Sequence, residues 1–67
     1  MEQYQDIIDE IVGIDVLQAA RIVKEKGLLF RIVKSNGKDI NVKTNMIFNR
    51  LNVSVDKNEV IEVISVG

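Results

Sequence analysis

Cysteine and histidine are both absent from this chain. Without cysteine there is no disulfide framework and no thiolate metal site to support a small fold. Without histidine, the commonest general base and the commonest metal ligand are missing. Ser35 and Ser54 therefore lack the usual partner that turns a hydroxyl into a nucleophile, and no feature points to lysine-based catalysis. Enzyme is the least favoured class. No apolar run approaches the roughly 18 residues of a membrane-spanning helix. The first residues are acidic and polar, unlike a secretory signal, so the expectation is a soluble, cytoplasmic domain without membrane contact.

What is present is a short, apolar-rich chain. At 67 residues it is expected to form one small domain, near the size at which a single core is only marginally stabilising. An apolar content of 46% argues against disorder. No repeat, linker or low-complexity segment interrupts it.

The net charge of -1 conceals an uneven distribution. Residues 1–20 carry Glu2, Asp6, Asp9, Glu10 and Asp15 without a cation. Residues 21–50 carry Arg21, Lys24, Lys26, Arg31, Lys34, Lys38, Lys43 and Arg50 against Glu25 and Asp39. Arg31, Lys34, Lys38 and Lys43 are candidates for binding a small anionic, nucleotide-like ligand. The simpler reading has the acidic first segment folding back on this block, or ordinary solvated charges; nucleic acid is disfavoured. Asp6, Asp9 and Glu10 lack the oxygen density and glycine turn of a calcium loop, so no metal and no cofactor is expected.

Along the chain, Tyr4, Ile7, Ile8, Ile11 and Val12 have the spacing of one apolar helical face, and Gly13 suits the end of a helix over about 3–12. Asp15 has the marks of an N-cap, with Gln18 three residues on and Ile14 placed to pack on Ala19. The second helix, 16–26, turns Val16, Ala19, Ala20 and Val23 inward and ends in Lys24, Lys26 and Gly27. Leu28–Val33 reads as a strand covered on both faces. Asn36-Gly37 signals a type I′ turn, which locally predicts a hairpin over 28–43. A second hairpin joins Leu51–Val55 to Val60–Ile64 through Asp56–Glu59, with Ile61 and Val63 facing the core and Glu62 facing solvent.

The most informative stretch is Thr44–Asp56. Leu51, Val53 and Val55 alternate with Asn52, Ser54 and Asp56, as in a strand with one buried face. Before it come Met46, Ile47 and Phe48 without a clean period. Met46 and Phe48 are either contact residues for a partner or core, and core is the favoured reading for Phe48. If they stay exposed beside Ile47, the patch favours self-association. Arg50 stands between the two halves, either as a strut for the preceding segment or as a surface cation paired with Asp56 or Glu62. An irregular segment held in front of a rigid strand is how binding loops are commonly presented.

Three blocks of this sequence resemble the potato inhibitor I family of serine protease inhibitors and its bacterial relatives. The first is Glu10-Ile11-Val12-Gly13 followed by Val16, Ala19 and Ile22-Val23; the second is Arg31-Ile32-Val33. The third is Arg50-Leu51-Asn52-Val53-Ser54-Val55-Asp56 with Ile61-Glu62-Val63 and Val66-Gly67. The Arg-Leu-Asn-Val form is especially similar to the bacterial inhibitors, and the resemblance covers about residues 10–67. It implies an α+β fold: one main helix on a small mixed sheet, the first two long strands parallel, and a long exposed loop between them. The helix over 3–12 would be an addition.

The resemblance also implies a function. Residues 41–49, in particular Val42, Lys43, Thr44, Asn45, Met46 and Ile47, would enter a subtilisin- or chymotrypsin-like serine protease as a substrate does. Arg50 matches a loop-supporting arginine, and Asn52 falls where plant members have a second one. Counting back from Arg50 puts Thr44 at the specificity position; aligning on threonine puts Asn45 there with a one-residue deletion. Neither alignment supplies the acidic residue that the family's arginines hold. The alternative is a non-inhibitory binding module on the same fold, taking an anionic small molecule or forming a regulatory oligomer.

Overall fold

The computed structural model describes residues 4–42 and 47–67. Two helices, α1 (Gln5–Ile11) and α2 (Val16–Glu25), precede four strands: β1 (Leu29–Ser35), β2 (Lys38–Asp39), β3 (Arg50–Asp56) and β4 (Glu59–Val66). They form one mixed sheet in the order β2-β1-β3-β4. β1 and β3 are parallel, while β2 and β4 flank them antiparallel. The architecture is α+β.

Local chemistry explains both helices. In α1 the apolar spacing buries Ile7 and Ile11, and a helix of seven residues is too short to persist without that packing. Asp15 caps α2, its carboxylate accepting from the N–H groups of Leu17 at 3.0 Å and Gln18 at 3.3 Å. The Val16 N–H goes instead to the Asn58 oxygen at 2.7 Å, so the turn between β3 and β4 satisfies another open helix end. Around it, Gly13 donates to Val60 and Val60 donates to Ile14, which covers the outer edge of β4 where it begins. Gly27, at φ +76°, turns the chain out of α2 and into β1.

Ala19 and Val23 are fully buried against Leu51, Val53 and Val60, with Ile11 completing the centre of the core. One face of β3 therefore meets the helices. Its other face is also withdrawn from solvent, since Arg50, Asn52 and Ser54 are buried too. The alternation read from sequence has the polar face but only one buried face; the structure corrects this, because Asn52 and Ser54 are buried as well.

Three local expectations are corrected. Asn36 and Gly37 do form a type I′ turn, at φ +51° and +81°, but the hairpin is brief. Among the described residues, only Lys34–Asp39 and Ser35–Lys38 pair, followed by the Ile40 N–H to Val33 oxygen bond of 2.9 Å. The inner edge of β1 belongs to β3, and a parallel pairing needs a long return connection rather than a second long strand. β1 is accordingly half-buried rather than covered on both faces, because β2 shields only its end. In β4, Ile61 is 51% exposed and Val60 takes the core position opposite Val55. Two register shifts, near Ile61 and Ile64, replace simple alternation with a three-residue spacing in which Val60, Val63 and Val66 oppose Val55, Val53 and Leu51.

Candidate functional site

The side chains of interest lie where the chain enters β3. Arg50 opens that strand and pairs with Leu29 of β1; Asn52, two residues on, shares its face and pairs with Arg31. Ser65 of β4 is the partner of Asn52 on the other side. Sheet register alone thus places Arg31, Asn52 and Ser65 in one row, with Arg50 beside it at the strand's beginning.

Asn52 is the hub of this row. Its Oδ1 accepts from Arg31 Nε at 2.9 Å, and its Nδ2 donates to Ser65 Oγ at 3.1 Å and to the Gly67 oxygen at 2.9 Å. A guanidinium nitrogen cannot accept and a backbone oxygen cannot donate, so the amide has one workable orientation. Both of its N–H donors are used. The Gly67 oxygen also accepts from Arg50 Nε at 3.1 Å, while the Gly67 N–H returns to the Arg50 oxygen at 2.9 Å. The end of β4 and the start of β3 are locked together through Arg50.

Arg50 is only 8% exposed. The surface-cation reading is excluded by that burial and by register: Asp56 lies at the opposite end of β3, about 20 Å away at 3.3 Å per residue, and Glu62 stands opposite Ser54. Desolvation first, and the nearby charge of Arg31 second, pull the Arg50 guanidinium below its ordinary value. It remains a cation at neutral pH. Two guanidinium groups are therefore held close together on one face of the sheet.

The segment just before Arg50 is pinned as well. Ile47 accepts from the Arg50 N–H at 3.3 Å, closing a turn over 47–50. Asn49 accepts from the Leu29 N–H at 2.9 Å, and its side-chain amide reaches the Gly27 oxygen at 3.5 Å. Phe48, in the middle of that turn, is 84% exposed and does not join the core as expected. The turn directs it outward while both neighbours are tied down.

Of the residues named from sequence, Arg50, Asn52 and Arg31 are brought together. Val42 and Ile47 are half-buried, and Lys43, Thr44, Asn45 and Met46 lie outside the described residues. The proposed anion set does not converge among its described members. Arg31 is committed to Asn52, whereas Lys34 lies about 10 Å farther along β1, by strand rise, beside the turn that carries Lys38. Among the described residues, the acidic first segment meets the basic block in one ion pair, Glu10 with Lys26 at 3.9 Å. Among the described residues there is no pocket, no group of acidic side chains arranged to share a metal ion, and no helix long and apolar enough to cross a membrane. Sequence reasoning missed Ser65 and Gly67, whose roles come from the β3–β4 register and carry no local signal. Comparison with family models, curated proteins and solved structures finds no match to this chain.

Proposed function

We propose that this chain is a protease-binding domain of the potato inhibitor I type, presenting residues 41–49 to a serine protease as a substrate-like loop. The observation that carries the reading is the locked exit of that segment. Arg50 is buried at the start of β3, tied to Gly67 by side chain and backbone, with the turn over 47–50 hung on Leu29 and Gly27. The entry is fixed too, through the Ile40–Val33 bond.

Both ends of the loop belong to one sheet. The parallel β1–β3 ladder and the core beneath it do not depend on the loop being intact. A peptide bond cut within 41–49 would leave the new amine beside the acyl-enzyme instead of releasing it. Well-oriented intramolecular groups reach effective concentrations of about 10⁵ M or more, so resealing competes with hydrolysis. Order in the loop before binding also counts, since fixing a backbone residue costs about 1 kcal/mol or more when it happens on binding. In this reading the domain acts by rigidity, as a binder rather than a catalyst, and needs no cofactor.

The test is inhibition of a panel of serine proteases, subtilisin-like enzymes included, by the purified domain. Tight inhibition of at least one member is expected; none across the panel overturns the proposal.

Phe48 favours a second reading, self-association through the same segment. An aromatic ring left 84% exposed on an anchored turn is apolar surface awaiting a partner. Sedimentation equilibrium decides it: a mass above that of the monomer, lost on Phe48→Ser, supports self-association, and a concentration-independent monomer removes it.

A further inference from the structure

We propose that the two bulges of β4 keep the open edge of the sheet from pairing with a second copy of this chain, and that Ile61 and Ile64 are the residues responsible. This holds whether or not the domain inhibits a protease.

The register shows β4 to be a regular strand with two residues added. From Asp56 back to Leu51, every residue of β3 has an opposite number in β4, and Ile61 and Ile64 are the ones left over. Without them the strand would read Glu-Val-Glu-Val-Ser-Val, a strict alternation that retains every observed pair. Both isoleucines stay exposed, at 51% and 44%, so filling the core does not account for them.

The additions change which backbone groups face outward. In an antiparallel pair, alternate residues turn their N–H and C=O groups toward the partner strand and those between turn them away. The Gly67 N–H, bonded to the Arg50 oxygen, marks an inward residue at one end of the ladder. At the other end Val60 faces outward: its N–H donates to the Ile14 oxygen at 3.0 Å, and its oxygen accepts from the Gly13 N–H at 2.7 Å. Counted between these ends by register, the outward residues of β4 are Val60, Val63 and Val66. They stand three apart, whereas a second strand offers its groups at every second residue. Val60 is already taken by the connection between α1 and α2. Among the described residues, Val63 and Val66 have no backbone partner on that side.

Sheet edges are otherwise blunted by shortness, lysine, other charges or proline. The far edge follows that pattern, since β2 is only Lys38 and Asp39. β4 does not. It is eight residues long, holds neither lysine nor proline, and beyond Glu59 carries a single charge, Glu62. Val60–Val66 is rich in β-branched residues, the composition that pairs edge to edge when the strand is flat. A bulge adds twist and interrupts the ladder, which removes that template.

The experiment deletes Ile61 and Ile64 together in a chain that also carries Phe48→Ser, so that the exposed ring does not intrude. Mass is followed by sedimentation equilibrium and folding by circular dichroism, with the Phe48→Ser chain as parent. The double deletion is expected to dimerise at concentrations at least about tenfold below any at which the parent does, the scale of one or two net hydrogen bonds. Adding Val66→Pro, which removes an outward N–H and no bond to β3, is expected to restore the parent's behaviour. A folded double deletion that associates no more than the parent overturns the inference. So does a dimer that Val66→Pro leaves intact. If the deletions unfold the chain, amide exchange in the parent decides. Free exchange of the Val63 and Val66 amides at the highest concentration reached supports the inference; protection of either overturns it, because the edge is then covered.

Discussion

Arg31 and Asn52 face one another across the parallel β1–β3 pairing, and the Arg31 Nε donates to the Asn52 Oδ1 over 2.9 Å. This contact joins two strands that are far apart in sequence at the point where the proposed loop ends. Asn52 passes the connection on to Ser65 and Gly67, and Gly67 passes it to Arg50. The second face of the sheet is thus a hydrogen-bonded layer rather than a solvated one.

Arg50 is the member whose loss is expected to be most damaging to function. Arg50→Ala removes the donor to the Gly67 oxygen but leaves the Asn52 donor to the same atom in place. A moderate loss of stability, about 1–2 kcal/mol or more, is expected from urea denaturation, since the charged hydrogen bond to Gly67 and the packing of a buried stem disappear. Protease inhibition is expected to fall much further than stability. Equal losses of both would mean that Arg50 only supports the fold.

Phe48 predicts the opposite pattern. At 84% exposure it touches little of its own chain, so Phe48→Ala should leave stability within about 0.5 kcal/mol. Its anchored, outward position on the turn next to Arg50 makes it a contact residue in the inhibitor reading. Weaker inhibition with an unchanged denaturation midpoint is the expected result. A large drop in stability would show that the ring packs in solution.

Asp15 tests the helix start. Its carboxylate accepts from two backbone N–H groups, and Asp15→Ala leaves both without that partner. A cost of about 1 kcal/mol is expected in a denaturation curve. Asp15→Asn, which keeps an acceptor oxygen, should recover most of it.

Leu51 tests the core. It is fully buried between the helices and the sheet, in contact with the same cluster as Val23 and Val53. Leu51→Ala is expected to cost about 2–5 kcal/mol, a large share of the stability of so small a domain. Circular dichroism at 25 °C should show a substantial unfolded fraction, whereas Leu51→Met should remain folded.

The parts of the fold legible in the sequence are those set by neighbouring residues. Asp15, Lys24 and Gly27 mark the ends of α2, and the Asn36-Gly37 turn forms with the conformation its residues favour. The length of the following strand was misread, because no local signal tells Ile40 that β1 is already paired on its inner edge. Ile61 was misplaced for a related reason: a register shift changes which residue faces the core without changing the composition of the strand. Phe48 looked like core because aromatic rings usually are, yet a turn closed by Ile47 and Arg50 turns it outward. At the site, Arg50 and Asn52 were legible as a pair two residues apart on one strand. Their links to Arg31, Ser65 and Gly67 depend on strand pairing across the sheet, which a single sequence does not display.

The measurement that bears most directly on the account is a time course of the domain with a serine protease, following enzyme activity and the masses of the chain together. The account predicts tight inhibition, with slow cleavage confined to one bond within 41–49 and the two pieces staying associated under native conditions. Rapid cleavage at that segment with the protease still active, or no inhibition and no cleavage, would contradict it.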